Sequence, residues 1–202
     1  MKRKIFAIIF ACCAMALVAQ NGIRVNYKGA KPTITDFAWA FVYSIYNDED
    51  ECGDRPTNAI MEALERKRKG LPQEEGVTLT IDEKNGYLLY ERILDSYIIK
   101  MEMCYWNEAD GKHKLFAFNN LASLDTEDGR PICTETSGLT FCRYTNATKS
   151  MVYCDPPGFE VDYLDTFYAL PRTGKNITET KWQGKGKTTK KTLKWNGRRF
   201  RK

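Results

Sequence analysis

Val77-Thr78-Leu79-Thr80-Ile81-Asp82, then Glu83-Lys84-Asn85-Gly86, then Tyr87-Leu88-Leu89-Tyr90-Glu91-Arg92-Ile93-Leu94, is the stretch that decides the fold. Val77, Leu79 and Ile81 alternate with polar residues, the period of a strand that turns one face to a core. Asn85-Gly86 tolerates a left-handed backbone and marks a hairpin turn. The same period continues downstream. Tyr97, Ile99, Met101, Met103 and Tyr105 share one strand face, and Ile98, Lys100, Glu102, Cys104 and Trp106 share the other. Asp110-Gly111 then turns the chain into His113–Asn119. Further strands are expected at Leu139–Tyr144, Ser150–Cys154, Phe167–Leu170, Asn176–Trp182 and Thr192–Trp195, with Asn196-Gly197 as a last turn before Phe200. Short polar turns imply antiparallel pairing, because parallel neighbours need long crossovers.

Upstream the period changes to that of helices. Thr33-Ile34-Thr35-Asp36 offers capping residues and an acid for the positive end of a helix. Ile34, Phe37, Ala38, Phe41, Val42 and Ile45 follow at helical spacing. Trp39, Tyr43 and Tyr46 fall on the other side, which predicts a helix almost surrounded by protein; a buried strand is the competing reading of so aromatic a run. A second helix begins near Asp54 with Pro56 in its first turn, runs through Ile60, Met61 and Leu64, and ends at Gly70 and Pro72 after Arg66-Lys67-Arg68-Lys69.

These elements predict an α+β fold: two N-terminal helices packed on an antiparallel β-sheet meander of about six to nine strands. The expected core is Phe37, Phe41, Val42, Ile60, Leu64, Leu79, Ile81, Leu89, Ile99, Met101, Met103, Phe116 and Phe118. The irregular loops are Leu124–Pro131 and Asp155–Gly158, and function often sits on such loops.

The first nineteen residues bear on where the protein works. Lys2-Arg3-Lys4 precedes an apolar run, Ile5 to Ala19, that ends in small residues; this is the pattern of a signal peptide, residues 1–19, too short to span a bilayer. Cleavage after Ala19 leaves residues 20–202 as one domain, with lipidation at Cys12 or Cys13 as the alternative. The expected setting is export: periplasmic, surface-associated or extracellular. No second apolar run follows, so no transmembrane segment is expected. The 202-residue chain carries a net charge of +5, unevenly distributed. Its basic C-terminal segment, 184–202, holds nine Lys/Arg and no acids, whereas residues 20–183 carry 19 bases against 26 acids. An acidic body with a basic tail suits solubility and docking on an anionic surface. Export argues against nucleic acid as the partner, and a lysine-rich edge strand also deters aggregation.

Cys52, Cys104, Cys133, Cys142 and Cys154 remain after maturation. Their spacing fits no zinc pattern, and no metal or cofactor is expected. A hairpin turn at Asn146-Ala147 places Cys142 opposite Met151 and Cys154 opposite Leu139, too far apart for a bridge. The disulfide candidates are therefore Cys133 and Cys154, and Cys104 is expected to stay a free thiol.

No catalytic residues emerge. His113 is the sole histidine. The Asp110-Gly111 turn sets Cys104 opposite position 117, so a Cys104–His113 dyad is not expected and His113 reads as an exposed hairpin residue. Asp48-Glu49-Asp50-Glu51 and Asp125-Thr126-Glu127-Asp128-Gly129 lack the alternation of a calcium loop and read as solvated loops. The remaining signal is aromatic: Tyr144, Tyr153, Tyr163, Tyr168, Trp182 and Trp195 are the candidate binding residues.

Tyr168-Ala169-Leu170-Pro171-Arg172-Thr173-Gly174-Lys175-Asn176-Ile177 and Leu193-Lys194-Trp195-Asn196-Gly197-Arg198-Arg199-Phe200 resemble the ending of small uncharacterised secreted proteins from Bacteroidetes. Val18-Ala19-Gln20 and Met103-Cys104-Tyr105-Trp106 with Asp110-Gly111 fit the same resemblance. It implies a bacterial envelope or extracellular setting and brings no catalytic residue. The expectation is thus a non-enzymatic binding or accessory protein that recognises a protein or glycan of the envelope or host. The alternatives are a small secreted hydrolase using carboxylates or a single cysteine on the long loops, or an enzyme inhibitor presenting Asp155–Gly158.

Overall fold

A computed structural model describes residues 22–47, 56–94, 97–124, 131–132, 138–163, 166–183 and 187–202. The signal sequence, Cys12, Cys13, Cys52, Cys133 and both acidic runs, Asp48–Glu51 and Asp125–Gly129, lie outside the described residues. No described helix is long and apolar enough to cross a membrane. The fold is α+β, rich in antiparallel sheet.

The strands are β1 (Ile23–Arg24), β2 (Val77–Asp82), β3 (Tyr87–Leu94), β4 (Tyr97–Asn107), β5 (His113–Leu124), β6 (Pro131–Ile132), β7 (Leu139–Thr145), β8 (Ser150–Cys154), β9 (Thr166–Ala169), β10 (Ile177–Trp182), β11 (Thr188–Trp195) and β12 (Phe200–Arg201). Strands β2, β3, β4, β5, β7 and β8 follow one another as an antiparallel meander. β1 returns to pair with β8 at one end, and β6 pairs with β5. The central hairpin has the expected register, with Cys104 opposite Ala117 and Asn107 opposite Lys114. Its tip holds Gly111 at φ 67°, a conformation glycine adopts without a Cβ penalty.

Helix α1 (Ile34–Asn47) begins on a capping box: the Asp36 carboxylate accepts from the Thr33 backbone N–H at 2.8 Å, and the Asp36 N–H points back to Thr33 Oγ1 at 3.4 Å. Helix α2 (Pro56–Arg68) ends in a Schellman motif, with Leu71 N donating to Arg66 O, Gly70 N donating to Lys67 O, and Gly70 at φ 69°. Both helices contribute to one buried cluster. In it the Phe37 ring lies 5.2 Å from Tyr105 and 5.0 Å from Tyr144, and Phe41 lies 5.3 Å from Phe116 and 5.1 Å from Phe118. Met101 and Met103 complete it from the middle of the sheet.

The opposite face of the same sheet is covered too. β9 to β12 form a second antiparallel sheet in the order β12-β11-β10-β9. A second buried cluster joins Tyr87, Cys104, Trp106, Leu115, Ala117 and Phe141 of the large sheet to Leu170, Ile177, Leu193, Trp195 and Phe200. Two clusters, one on each face of a shared sheet, replace the single core expected from sequence. Leu79, Ile81, Leu89 and Ile99 are only partly buried, being supporting neighbours of a cluster rather than its centre. The C-terminal segment is therefore structural. β11 runs along β10 and pairs with β12 only at Lys194 and Trp195, so its basic side chains Lys190 and Lys194 are exposed while Leu193 and Trp195 point inward.

A buried carboxylate joins the two sheets. Glu102, on β4, accepts from the Leu170 backbone N–H at 3.0 Å, Asn119 Nδ2 at 3.2 Å and Tyr87 Oη at 3.0 Å. Asn119 also donates to Tyr168 O at 2.7 Å, and Trp106 Nε1 donates to Lys175 O at 3.0 Å.

The β7–β8 turn differs from expectation. It spans four residues, Asn146–Lys149, with Lys149 at φ 53° and Thr145 opposite Ser150. Cys142 therefore faces Tyr153 and Cys154 faces Phe141. Adjacent ladder positions point to opposite faces, so this pair is kept apart by side-chain direction rather than by distance along the strands.

Glu102→Ala is expected to lower the free energy of unfolding by about 3 kcal/mol, because it strands buried donors on Leu170, Asn119 and Tyr87. Urea titration followed by tryptophan fluorescence measures it. A loss below about 1 kcal/mol would show that these donors find other partners.

Candidate functional site

The six aromatic residues singled out from sequence do not share a surface. Tyr144 is buried beneath α1, while Tyr168 and Trp195 are buried in the cluster between the sheets. These three are unavailable to a ligand, because both faces of the large sheet are covered. Tyr153 on β8 is 54% exposed and contacts Phe41; Tyr163 is also 54% exposed and donates to Leu139 O at 3.4 Å; Trp182 is half-buried on β10.

The described thiols are chemically quiet. Cys104, Cys142 and Cys154 are free. Burial pushes the Cys142 thiol up to about 12, the Cys154 thiol up to about 11 and the Cys104 thiol well above its ordinary value. A nucleophilic cysteine needs the opposite shift. Of the proposed disulfide pair, Cys154 is a free thiol and Cys133 lies outside the described residues.

His113 is not an idle hairpin residue. Its Nδ1 lies 2.5 Å from Asp110 Oδ2, and Asp110 Oδ1 accepts from the backbone N–H groups of Lys112 and His113. The His113 hydrogen bond, then the Lys112 amide, hold the Asp110 carboxyl down at about 2. Glu108 stands beside them, and one ligand atom from each of Glu108, Asp110 and His113 fits within 4.8 Å. A cation would find that place contested: Arg143 spans the Glu108 carboxylate with bonds of 2.8 and 2.5 Å. The cluster ties turns together. Asn146 Nδ2 donates to Gly111 O, and Ala109 N donates to Gly197 O.

Asp155–Gly158 does not project either. Phe200 N donates to Pro157 O at 2.8 Å, and Gly158, at φ 100°, packs against the Phe200 backbone. The loop is folded onto β12.

Among the described residues, concave surface runs along the outer face of α1. The face expected to be covered is open: Trp39 is half-buried and Tyr43 is 56% exposed, one helical turn away. One depression, about 890 Å³, lies between Trp39, the loop from Asn26 to Thr33, the end of α2 and the β2–β3 turn. Another, about 340 Å³, lies on the Tyr43 side. Both are lined by Asn26, Asp36 and Trp39, so they form one groove with the indole at its middle.

Its walls are cationic. Arg24, Lys28, Lys31, Lys67 and Arg68 line the groove, against the carboxylates of Asp36 and Glu83. Both acids serve the start of α1: Asp36 caps Thr33, while Glu83 accepts from Ile34 N at 3.1 Å and from Thr35 Oγ1. Arg68 is paired with Glu65 at 2.8 Å. Arg24, Lys28, Lys31 and Lys67 have no carboxylate partner among the described residues. Nearby, Lys114 is buried on β5 with Asn107 and the Tyr105 ring as partners, and its pKa is lowered by burial and by Lys31. The face was hidden in the sequence because an aromatic residue on a helix reads as core by default; the flanking lysines were the available signal.

No protein family, curated protein or solved structure matches this chain.

Two outcomes are expected. The Asp110 carboxyl is held below its ordinary value of 3.8, so its contribution to stability is present above about pH 4 and is lost as the pH falls towards 2. Asp110→Asn should therefore lower the melting temperature at neutral pH, with the gap to the parent narrowing on acidification; a gap independent of pH would remove the charge from the explanation. Iodoacetamide at pH 8 should leave Cys104 and Cys142 unmodified in the native protein, since a thiol with a pKa of about 12 holds on the order of one part in ten thousand as thiolate. Peptide mapping with and without urea reads the difference, and native labelling of Cys142 would contradict its burial.

Proposed function

We propose that this chain is an exported, non-enzymatic binding protein that recognises a protein or glycan partner through the groove along α1. The observation that carries the proposal is the open aromatic pair, Trp39 and Tyr43, set among cations that have no carboxylate partner among the described residues. Leaving a large indole half-buried forgoes part of the burial energy of a large apolar side chain, which is about 1.5–3 kcal/mol when complete. A concave face with a few convergent polar groups is also the usual form of a ligand site. The basic start and apolar run of residues 1–19 support export. The three described thiols, all on strands and with pKa values raised by burial, give no support to a cysteine nucleophile at their positions.

The test is retention of envelope-extract proteins and glycans on immobilised residues 20–202, compared with Trp39→Ala and Tyr43→Ala. Both variants should lose at least ten-fold in retention while keeping the parent's circular dichroism. Equal retention by all three would move the binding surface away from α1.

A further inference from the structure

Resting on that reading of the groove as the binding surface, we infer that its occupant is an acidic glycan, a chain of sugars carrying carboxylate or sulfate groups. Three features converge. The first is charge. Lys28, Lys31 and Lys67 approach the groove from the loop before α1 and from the end of α2 and have no carboxylate partner among the described residues, whereas Asp36 and Glu83 are held by the first turn of α1. A ligand meets net positive charge, enhanced between low-dielectric walls.

The second feature is the spacing of the platforms. Trp39 and Tyr43 stand at i and i+4 on one helix face, about 6 Å apart along the axis. Consecutive pyranose rings can each rest their C–H face on an aromatic ring at such an interval. The groove continues on both sides of Trp39, so a chain can pass over the indole instead of ending on it.

The third feature decides between a glycan and an acidic peptide. The floor is a helix, whose backbone donors and acceptors are spent on one another. The strand edges that border it are the two residues of β1 and, at Ile81, the outer edge of β2, so a peptide running along the groove would pair few of its amides with a strand and would leave those over α1 unpaired. A sugar chain has no such backbone. Its hydroxyls can use side-chain groups, such as the Asn26 amide and the Trp39 indole N–H, for which no described residue supplies an acceptor.

The experiment uses residues 20–202 and three probes: oligogalacturonate, the neutral oligosaccharide maltohexaose, and poly-L-glutamate. Binding is followed by calorimetry and tryptophan fluorescence. Oligogalacturonate should bind at least ten-fold more tightly than maltohexaose, and should weaken five-fold or more between low and physiological salt. Lys28→Glu with Lys31→Glu should weaken it at least ten-fold, as should Tyr43→Ala; Trp39→Phe should stay within about three-fold of the parent. The lysine and Tyr43 changes lie on exposed side chains, so they keep the test valid if Trp39→Ala fails to fold. Tighter binding of poly-L-glutamate through the same residues would make the partner an acidic peptide and overturn the inference. Preference for maltohexaose, lost in Tyr43→Ala but indifferent to the lysines, would overturn the acidic character and leave the proposed function standing. If no probe binds and retention from envelope extracts ignores Trp39 and Tyr43, both fall together.

Discussion

Strands β4 and β5 are apolar on both faces, and this constraint organises the molecule. Met101 and Met103 point one way, Cys104 and Trp106 the other, and Phe116 and Ala117 repeat the division on the neighbouring strand. A sheet apolar on both faces cannot leave either in water, so two layers have to cover it. Helices α1 and α2 contribute to the cluster on one face. The other takes the C-terminal strands β9 to β12, whose last part, the basic segment 184–202, reads as a tail until its inward residues are separated from its outward ones. The aromatic content follows from this arrangement. Phe200 lies 4.8 Å from Trp195 and 5.3 Å from Trp106, so bulky rings fill the space between two sheets as layered packing requires.

A cover attached by apolar contact alone has no preferred register. Glu102 sets it. Its acceptors reach donors on β3, on β5 and on the backbone at Leu170, so the small sheet can sit in one position without stranding a buried N–H. A second fixation is at the turns. The tip of the β4–β5 hairpin accepts from Asn146 and donates to Gly197, which joins it to the β7–β8 and β11–β12 turns. The Glu108–Asp110–His113–Arg143 cluster stands beside this junction. Its charges stiffen the hairpin tip that the other two turns use.

The period-two runs and the turn dipeptides made the central hairpins legible, including the pairing of Cys104 with Ala117, because Asp110-Gly111 constrains where the chain reverses. The same reasoning failed at Asn146: a two-residue turn was expected where Lys149 adopts a left-handed conformation and lengthens the turn to four. Turn length depends on a backbone choice that an isolated Asn does not dictate. The second face was visible in the alternation of residues 98–106, yet nothing local says which distant segment will cover it. Tyr144, Tyr168 and Trp195 were misplaced for that reason. A tyrosine on a strand has the same sequence signature whether its face meets solvent or another layer.

The helix layer shows why the groove escaped the same reading. Each side of α1 is aromatic, and periodicity alone assigns both to the interior. What separates them is the supply of partners. Phe37 and Phe41 meet five rings of the large sheet, whereas no described residue covers Tyr43 or completes the cover of Trp39. The capping of α1 adds to the effect. Asp36 and Glu83 satisfy orphan N–H groups at the helix start and are thereby held in place, so the carboxylates nearest the lysines serve the fold. The surplus positive charge of the groove is thus a consequence of how the helix begins, and the aromatic platform a consequence of which face the sheet leaves uncovered. Trp39 packs against the helix-side cluster and also lines the groove, so the open face of α1 stays tied to the core, whereas the rings between the two sheets are enclosed.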